Sequence, residues 1–458
     1  MRFAVMMQSR CRLLRTRIDV VQPGRRFRRA LSCAMIPSTL CFAIALQLPC
    51  NAPAGDWSSF RGSNGDGIAL GEKPVQLWGP SQNVAWRVQL TGSGNGSPIV
   101  IGHRVLLNCA KDLGRRRTLH CYDAADGRDL WSRSVAIDVA ELTHKSNPYC
   151  GTTPVSNGEV VVVWHGTAGL HCYTLEGKQV WSRDLGEIRH LWGYGTSPII
   201  YKDRVILNSG ANSTNFVMAV RVADGATIWK TEEPGGQSNE TPDGVMTGSW
   251  CTPVLAHAVD QDIVVCGMPT RIVAYDPDDG QILWSCGGLT GSNGNVVYAS
   301  PVIGSGIAVV MAGYKGPTVG VRLGGAGDLT ETHRIWQSTT SNPQRIGSGV
   351  IVGQSIYVAN ADGGTIQCLD LATGQERWRA RVRGGPHWAS TVLAGGMLYA
   401  TNQTGTTRVF RPNPNRFELV AENNLDELIN ATPAFSDNKV FIRTVKHLYC
   451  ISERDGTR

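Results

Sequence analysis

Three carboxylates surround a glycine in the stretch CYDAADGRDLW, and residues of these types at this spacing could hold a cation. Asp123, Asp126 and Asp129 follow one another at intervals of three residues, with Gly127 among them. Calcium loops combine closely spaced carboxylate oxygens with a glycine that permits a sharp turn. The alternative is an ordinary β-turn between two strands, with no ion.

Two His-Cys dipeptides, His120-Cys121 and His171-Cys172, carry the soft ligands that zinc and copper prefer. Neighbouring side chains on a strand point to opposite faces, so the two members of a pair cannot share a metal without distortion. A buried cysteine also behaves as a small hydrophobe. We therefore interpret the cysteine position as a small slot in the core and predict no metal site.

The strands that would position these residues belong to a sequence repeat. A tryptophan ends each repeat unit, and successive tryptophans are 42 to 55 residues apart. Five of these tryptophans follow a glycine by four residues, as in DAADGRDLW and LATGQERW. Each unit opens on a segment that carries a serine or threonine. The tryptophans are Trp86, Trp131, Trp181, Trp229, Trp284, Trp336 and Trp378. The opening hydroxyl residues are Ser97, Thr153, Ser197, Thr252, Ser300, Ser348, Ser390 and Thr432.

Each unit contains four runs of alternating apolar residues with Gly, Asn or Asp at the turns, a pattern that predicts four short strands. One such sheet cannot bury both faces, whereas radial stacking buries them. We predict an all-β fold, an eight-bladed β-propeller of four-stranded antiparallel blades. The last unit lacks its outer strand, and the segment 83–90, which contains Trp86, is predicted to supply it and close the ring.

Comparison of the repeats decides between the cation loop and the turn. Thr373 stands in place of Asp126, and Ile282 in place of Asp129. Calcium ligands that were exchanged in this way would not form one kind of site. The persistent residues are the glycine and the tryptophan, so we predict that the stretch is a turn followed by a structural tryptophan that packs between blades.

The segments CLDLATGQERW and DWSSFRGSNGDGIA resemble the pyrroloquinoline-quinone-like (PQQ-like) β-propeller repeat family, the second of them in its exported, planctomycete-type members. The resemblance implies one of three roles. Quinoprotein alcohol dehydrogenases bind the quinone and calcium over the central channel, but this chain has no adjacent cysteine pair of the kind that many of them carry. The other roles are a non-catalytic scaffold, as in outer-membrane assembly, and an extracytoplasmic sensor.

Residues just before the inner strands of a propeller surround one mouth of its channel, and here the repeats differ. Aromatic and cationic groups at this rim would suit a peptide strand, a glycan or a planar ring. The alternative is that they pack on one another and plug the channel. Insertions at 140–150 and 232–250 could add His144, Lys145 and Glu240 to the rim, although flexible surface loops are the more ordinary role. The predicted rim residues are Trp192, Tyr194, Trp250, Tyr298, Arg345, His387 and Trp388.

The net charge of +7 lies almost entirely in the first 54 residues, which contain nine arginines and one acid, a net +8. The remainder carries −1, so a nucleic-acid partner loses its main support. The arginine-rich start, the apolar stretch ALSCAMIPSTLCFAIALQLPC and Ala52-Pro53-Ala54 predict a secretory leader over 1–54, cleaved after Ala54, and a propeller over 55–458. Pro37 and Pro49 interrupt the apolar run, which argues against a permanent membrane span.

The sequence therefore predicts an exported, periplasmic or cell-surface, monomeric propeller that acts as a binding scaffold through its channel mouth, without catalysis and without a cofactor. The expected partner is a protein or peptide, or else a glycan. A PQQ-dependent dehydrogenase with calcium is the alternative enzyme, and a sensor propeller is the third possibility.

Overall fold

The computed structural model describes residues 55–139, 141–211, 215–233, 245–338 and 342–453, so the predicted leader lies outside it and remains a prediction. The described residues form eight sheets around a central channel, with 3-10 turns at Asp112–Gly114 and Gly166–Ala168. In this part of the chain, no helix has the length and apolar character needed to cross a bilayer.

The eight sheets are the predicted blades, numbered here in chain order from the first complete one. Blades 1 to 4 consist of Ile99–Ile101, Arg104–Lys111, Arg116–Asp123 and Asp129–Ala136; Val155–Ser156, Val160–Trp164, Leu170–Thr174 and Gln179–Arg183; Ile199–Tyr201, Arg204–Asn208, Phe216–Arg221 and Thr227–Glu232; Val254–Ala258, Gln261–Met268, Arg271–Tyr275 and Ile282–Gly287. Blades 5 to 8 consist of Val302–Gly304, Ile307–Met311, Thr318–Arg322 and Arg334–Ser338; Val350–Val352, Ser355–Ala359, Thr365–Asp370 and Glu376–Arg381; Val392–Ala394, Met397–Thr401, Thr406–Arg411 and Glu418–Asn424; Ala434–Ser436, Lys439–Arg443, His447–Ile451 and Val84–Gln89.

Ring closure occurs as the sequence predicts. Val84–Gln89 pairs antiparallel with His447–Ile451, and Trp86 stands opposite Cys450. The strand that precedes blade 1 thus completes the last blade, and the predicted eight-bladed all-β fold is confirmed.

Two blades have a fifth, parallel strand that the four-strand prediction does not contain. Gly327–Asp328 joins the outer edge of blade 4, and Ile68–Ala69 joins the inner edge of blade 7. A separate two-stranded parallel sheet pairs Thr247–Ser249 with Asn295–Val297. These pairings join segments that are far apart in the chain, and no repeated pattern in the sequence predicts them.

The hydroxyl residues that open the units form a closed cycle of hydrogen bonds, which we call the hydroxyl ring. In each blade the backbone N–H of this residue donates to the side-chain oxygen of the equivalent residue in the next blade, and Thr432 of blade 8 donates back to Ser97 of blade 1. All eight N···O distances lie between 2.9 and 3.2 Å. The cycle fixes the inner end of every blade against its neighbour.

The recurring tryptophans hold the outer ends of the blades together. Six of their indole N–H groups donate to a backbone carbonyl of the following blade at 2.7 to 3.1 Å, for example Trp229 to Pro277. The glycine of that blade lies directly beneath the indole: a Cβ on Gly280 would stand 2.4 Å from the Trp229 ring. Gly280 also has a φ of +76°, so its position requires glycine for two independent reasons.

The cysteines of the His-Cys dipeptides occupy the slot opposite each tryptophan on the adjacent strand. Cys121 is paired with Trp131, and Cys172 with Trp181; Ala274 takes the same place opposite Trp284. Cys121 is fully buried, and burial raises the pKa of its thiol to about 12. Full burial opposite a tryptophan is the environment of a small core residue, which agrees with a packing role.

The carboxylates of CYDAADGRDLW act within their turn. The Asp123 carboxylate accepts the backbone N–H of Ala125, and Asp126 accepts that of Arg128. The Arg128 side chain lies 3.2 Å from Asp123 and 3.8 Å from Asp126. Gly127 has a φ of +77°, as this turn requires. The stretch is a tight turn, as predicted from the comparison of the repeats.

The segment 55–69 closes one end of the channel, and we call it the plug. Trp57 forms a bridge to Val100 of blade 1, and the Ser58 carbonyl accepts the N–H of Ser156 in blade 2. On the opposite side, the buried Arg61 guanidinium donates to the carbonyls of Pro301 and Gly349, in the first strand-forming segments of blades 5 and 6. All these contacts lie just after the hydroxyl ring in the chain, so the plug covers that side of the ring.

The glycine beneath each indole yields a stability prediction. We expect Gly280→Ala to lower the free energy of unfolding by about 1 to 2 kcal/mol for the left-handed backbone, and by roughly 1 to 3 kcal/mol more for the clash with Trp229. Gly306→Ala is the matched control, because Gly306 has a φ of +72° but nothing within 4 Å of an added Cβ. Urea unfolding of both variants measures the difference, and equal losses would contradict the docking role of Trp229.

Candidate functional site

A cavity of about 480 Å³ opens on the side of the hydroxyl ring away from the plug. Six ring hydroxyl residues line its inner end, together with Phe60 of the plug. The cavity is therefore a well that is closed at its floor rather than a continuous pore. Its volume lies within the range of small-molecule sites, about 300 to 1,000 Å³.

The wall of the cavity is formed by the residues that stand two positions before each ring hydroxyl, and we call this set the collar. Alternate residues of an extended chain face the same side, so the collar and the ring face the channel together. The repeats differ in the collar: glycines on blades 2 and 3 leave space, whereas aromatic residues stand on blades 4, 5 and 7. The collar consists of Asn95, Gly151, Gly195, Trp250, Tyr298, Ile346, Trp388 and Asn430, all of which line the cavity.

The aromatic side of the collar is positioned by the separate parallel sheet. Trp250 directly follows Thr247–Ser249 and Tyr298 directly follows Asn295–Val297, so the pairing of these strands brings the two rings to 5.3 Å. The Trp250 indole N–H donates to the Gly193 carbonyl at 2.9 Å, and the edge of the His190 ring packs against it at 4.8 Å. Trp250 is therefore an anchored wall and not a mobile side chain.

Tyr314 adds a further ring from a backbone that few non-glycine residues adopt. Its φ is +47°, and that of the next residue, Lys315, is +62°. The Tyr314 ring meets Tyr298 edge-on at 5.9 Å, and the Lys315 N–H donates to the side-chain oxygen of Gln344 at 3.0 Å. Such conformations persist where surrounding contacts hold them, often at binding sites.

The insertion that follows blade 1 forms part of the wall. His144 packs on Trp192 with ring centroids 4.3 Å apart, and the Asn147 amide donates to the carbonyls of Trp192 and Tyr194. Lys145 is exposed and does not line the cavity. The second insertion includes residues 234–244, which lie outside the described residues, so the predicted contribution of Glu240 remains a prediction.

Asparagine side chains link the first and last blades at the mouth. Asn430 donates to Asn95 at 3.0 Å and accepts from Gln403 at 2.7 Å, while Asn95 donates to the Ser146 carbonyl at 3.0 Å. The sequence-based prediction lacks Asn95 and Asn430 because it rests on aromatic and charged groups, and it lacks Tyr314 because this residue does not stand just before an inner strand. Their spacing from the ring hydroxyl is the signal that would have found both asparagines.

The structure gathers four of the seven predicted rim residues and leaves three behind the wall. Trp192, Trp250, Tyr298 and Trp388 line the cavity. Tyr194, Arg345 and His387 stand three positions before a ring hydroxyl, so strand alternation turns them away from the channel. Tyr194 is 3% exposed, Arg345 2% and His387 0%.

All three side chains are buried in the core instead. The Tyr194 hydroxyl accepts from Arg117, which is itself paired with Glu141 at 3.2 Å, and from the Cys150 N–H. Arg345 donates to Thr318 at 2.6 Å. Whether the four residues of the wall bind a ligand remains a prediction.

The lining of the cavity is uncharged in the described residues: it contains no Asp, Glu, Lys or Arg. Its polar groups are hydroxyls, amides and His144. The predicted alternative was that the aromatic residues pack on one another and fill the channel. Trp250, Tyr298 and Tyr314 do pack together, but only on one side of the cavity, which stays open beside them.

A family model described as outer membrane protein assembly factor BamB matches residues 115–380 and 362–458. The chain belongs to the PQQ-like β-propeller repeat family. No curated protein sequence matches it significantly.

Solved structures of this family share the fold at low sequence identity. BamB from Moraxella catarrhalis is 12% identical with a TM-score of 0.57, over 82% of this chain and 98% of that one. Quinohemoprotein alcohol dehydrogenase from Comamonas testosteroni is 11% identical with a TM-score of 0.63, over 88% and 82%. One is an assembly factor and the other an oxidoreductase, so the likeness establishes the architecture and leaves the activity to the site.

The calcium that accompanies the quinone in dehydrogenases of this fold does not fit the cavity. Calcium takes six to eight oxygen ligands and relies on carboxylates. The described lining offers none, and no group of three or more His, Cys, Asp or Glu residues in the described chain is arranged to hold a metal. No catalytic step through the quinone and calcium follows from these residues.

His387 yields a prediction of pH dependence. Burial, and secondarily the nearby Arg408, lowers the pKa of His387 to about 4. As the pH decreases from about 6.5 to about 4, His387 therefore binds a proton in the unfolded chain but not in the native protein. The free energy of unfolding decreases by about 1.4 kcal/mol for each pH unit of acidification over this range. We expect His387→Gln to unfold with a flatter dependence on pH over this window in denaturant titrations. A slope equal to that of the wild type would show that His387 is protonated in the native state.

Proposed function

We propose that this chain is an exported, non-catalytic propeller that binds a protein or another ligand by accepting part of it into the channel cavity. The observation that carries the proposal is the collar. The ring hydroxyls and the docking tryptophans recur from blade to blade. The collar residues differ between blades, and aromatic residues, asparagines and glycines together line one well that is closed at its floor. A wall of anchored aromatic rings with a few polar groups is typical of a binding site.

The chemistry of the wall favours binding over catalysis. His144 is the one histidine of the described lining, and its Nδ1 lies 2.6 Å from the Ser146 hydroxyl. Ser146 and His144 are two residues apart on one loop, and the described lining supplies no carboxylate to orient the histidine. A scaffold role also agrees with the family match to an assembly factor.

Export rests on the leader: an arginine-rich start, an apolar stretch and Ala52-Pro53-Ala54 together support secretion with cleavage after Ala54. Mass spectrometry of the mature N-terminus from an exporting host tests this assignment. A mature chain that begins before residue 55 would contradict the cleavage site.

A double variant tests the cavity. Trp250→Ala with Trp388→Ala removes two faces of the wall, and we expect recovery of crosslinked partners to fall by about tenfold or more, as for other aromatic anchors. Leu113→Ala with Val259→Ala is the control, because these exposed side chains lie outside the cavity. A folded double variant that keeps every partner would remove the cavity from the function.

The dehydrogenase alternative has a direct test of its own. Purified protein incubated with pyrroloquinoline quinone and Ca²⁺ is expected to show no calcium-dependent chromophore and no dye reduction with alcohols, because the wall lacks carboxylates for the cation. Stoichiometric, calcium-dependent binding with turnover would replace the scaffold function by an oxidoreductase.

A further inference from the structure

The floor of the cavity presents hydrogen-bond donors that the protein leaves without an acceptor. Each ring hydroxyl oxygen accepts one backbone N–H, as between Ser97 and Thr153, and the described residues place no acceptor within reach of the hydroxyl hydrogens. The ring residues are almost fully buried, with Ser390 1% and Ser97 2% exposed. Buried donors require acceptors, so the floor is suited to a group rich in oxygen lone pairs.

Three buried arginines stand directly behind this neutral surface. Arg61 adjoins Phe60 of the floor, Arg345 lies between Gln344 and Ile346 of the wall, and Arg443 donates to the Gly96 carbonyl at 2.8 Å, next to Ser97. Each is at most 2% exposed. Burial lowers the pKa of Arg61 and of Arg345 to about 10, so both remain cationic at neutral pH.

None of the three guanidinium groups forms an ion pair with a described carboxylate. Arg61 is bound by backbone carbonyls, and its nearest acid, Asp66, lies beyond ion-pair distance and has a pKa raised by burial. The acids closest to Arg345 are engaged elsewhere, Asp362 with Lys315 at 2.9 Å and Glu376 with Arg379 at 2.8 Å. Uncompensated buried cations create a positive potential in an enclosed site of low dielectric.

The closed floor adds a geometrical condition. An extended chain that enters from the mouth cannot continue past Phe60 and the plug, so it must end in the well. An end that carries negative oxygens would meet the ring hydroxyls, and the residues before it would lie against Trp250, Tyr298 and Trp388.

We propose that the cavity binds the free carboxylate end of a ligand, namely the C-terminus of a peptide or protein partner, with the carboxylate at the hydroxyl ring and an apolar last side chain against the aromatic collar. This inference rests on the binding function proposed above and names the group that is bound. Its contacts are charge-assisted hydrogen bonds from hydroxyls, reinforced by arginines that do not touch the ligand.

Titration by tryptophan fluorescence and calorimetry tests the proposal with defined probes. They are N-acetyl-Leu-Phe with a free C-terminus, the same peptide amidated, 3-phenylpropionate, and pyrroloquinoline quinone without calcium. We expect the free acid to bind at least about tenfold more tightly than the amide. Comparable binding of 3-phenylpropionate would identify a small carboxylic acid as an equally good source of the same group.

A charge placed in the wall provides the matched variants. Gln344→Glu keeps the acceptor for the Lys315 N–H and adds a carboxylate, so at about pH 8, where it is ionised, we expect affinity for the free acid to fall about tenfold or more. Gln354→Glu is the matched control: it places the same charge on an exposed turn of the same blade, outside the cavity, and should retain binding.

Equal affinity for the acid and the amide would overturn the carboxylate inference while leaving a binding cavity intact. Binding of the quinone without binding of the peptide acid would overturn the peptide C-terminus as the ligand in favour of a planar ring acid, since the quinone carries carboxylates of its own. If no probe binds and the Trp250→Ala/Trp388→Ala variant still loses its crosslinked partners, the cavity functions but recognises another group, and the inference fails alone.

Discussion

The closed cycle of eight hydrogen bonds between ring hydroxyls and backbone amides is the constraint on which the rest of the structure depends. Each blade contributes one donor and one acceptor at its inner end, so the cycle is complete only when Thr432 of the last blade reaches Ser97 of the first. A hydroxyl is needed at every ring position, because its loss would leave a buried amide of the neighbouring blade without a partner. The residue two positions earlier is under no such requirement, and this freedom allows one strand to hold the fold together and to build a specific wall.

The elements predicted from sequence are those whose contacts repeat. The tryptophan, the glycine beneath it and the ring hydroxyl each make the same contact with the adjacent blade in most blades, so their periodicity identifies the blades. The strand that the last repeat lacks identifies how the ring closes. The site is different in kind. Tyr194, Arg345 and His387 are aromatic or basic like the true wall residues, but a shift of one position reverses the direction of the side chain. Strict application of strand alternation from Ser97 or Ser390 would have separated the two groups.

Other parts of the site depend on contacts between segments far apart in the chain, which a repeat cannot reveal. Tyr314 reaches the cavity through an unusual backbone held by Gln344, and Trp250 and Tyr298 meet because two short strands 48 residues apart in their starting positions pair outside the blades. The buried arginines also escape notice in sequence, where they resemble the exposed arginines on the blade surfaces. Their significance lies in the ion pairs that they do not make with the described residues.

The plug and the closing strand have a consequence for the order of folding. The floor of the cavity contains Phe60, whereas one side of its mouth contains Asn430, and Val84–Gln89 finds its partner only in His447–Ile451. Contacts of such long sequence separation form late, since a loop of most of the chain must close before they contribute free energy. Individual blades can assemble as the chain emerges during synthesis, but the complete cavity exists only after the last blade has emerged. An incomplete chain therefore lacks both the closed ring and the finished cavity.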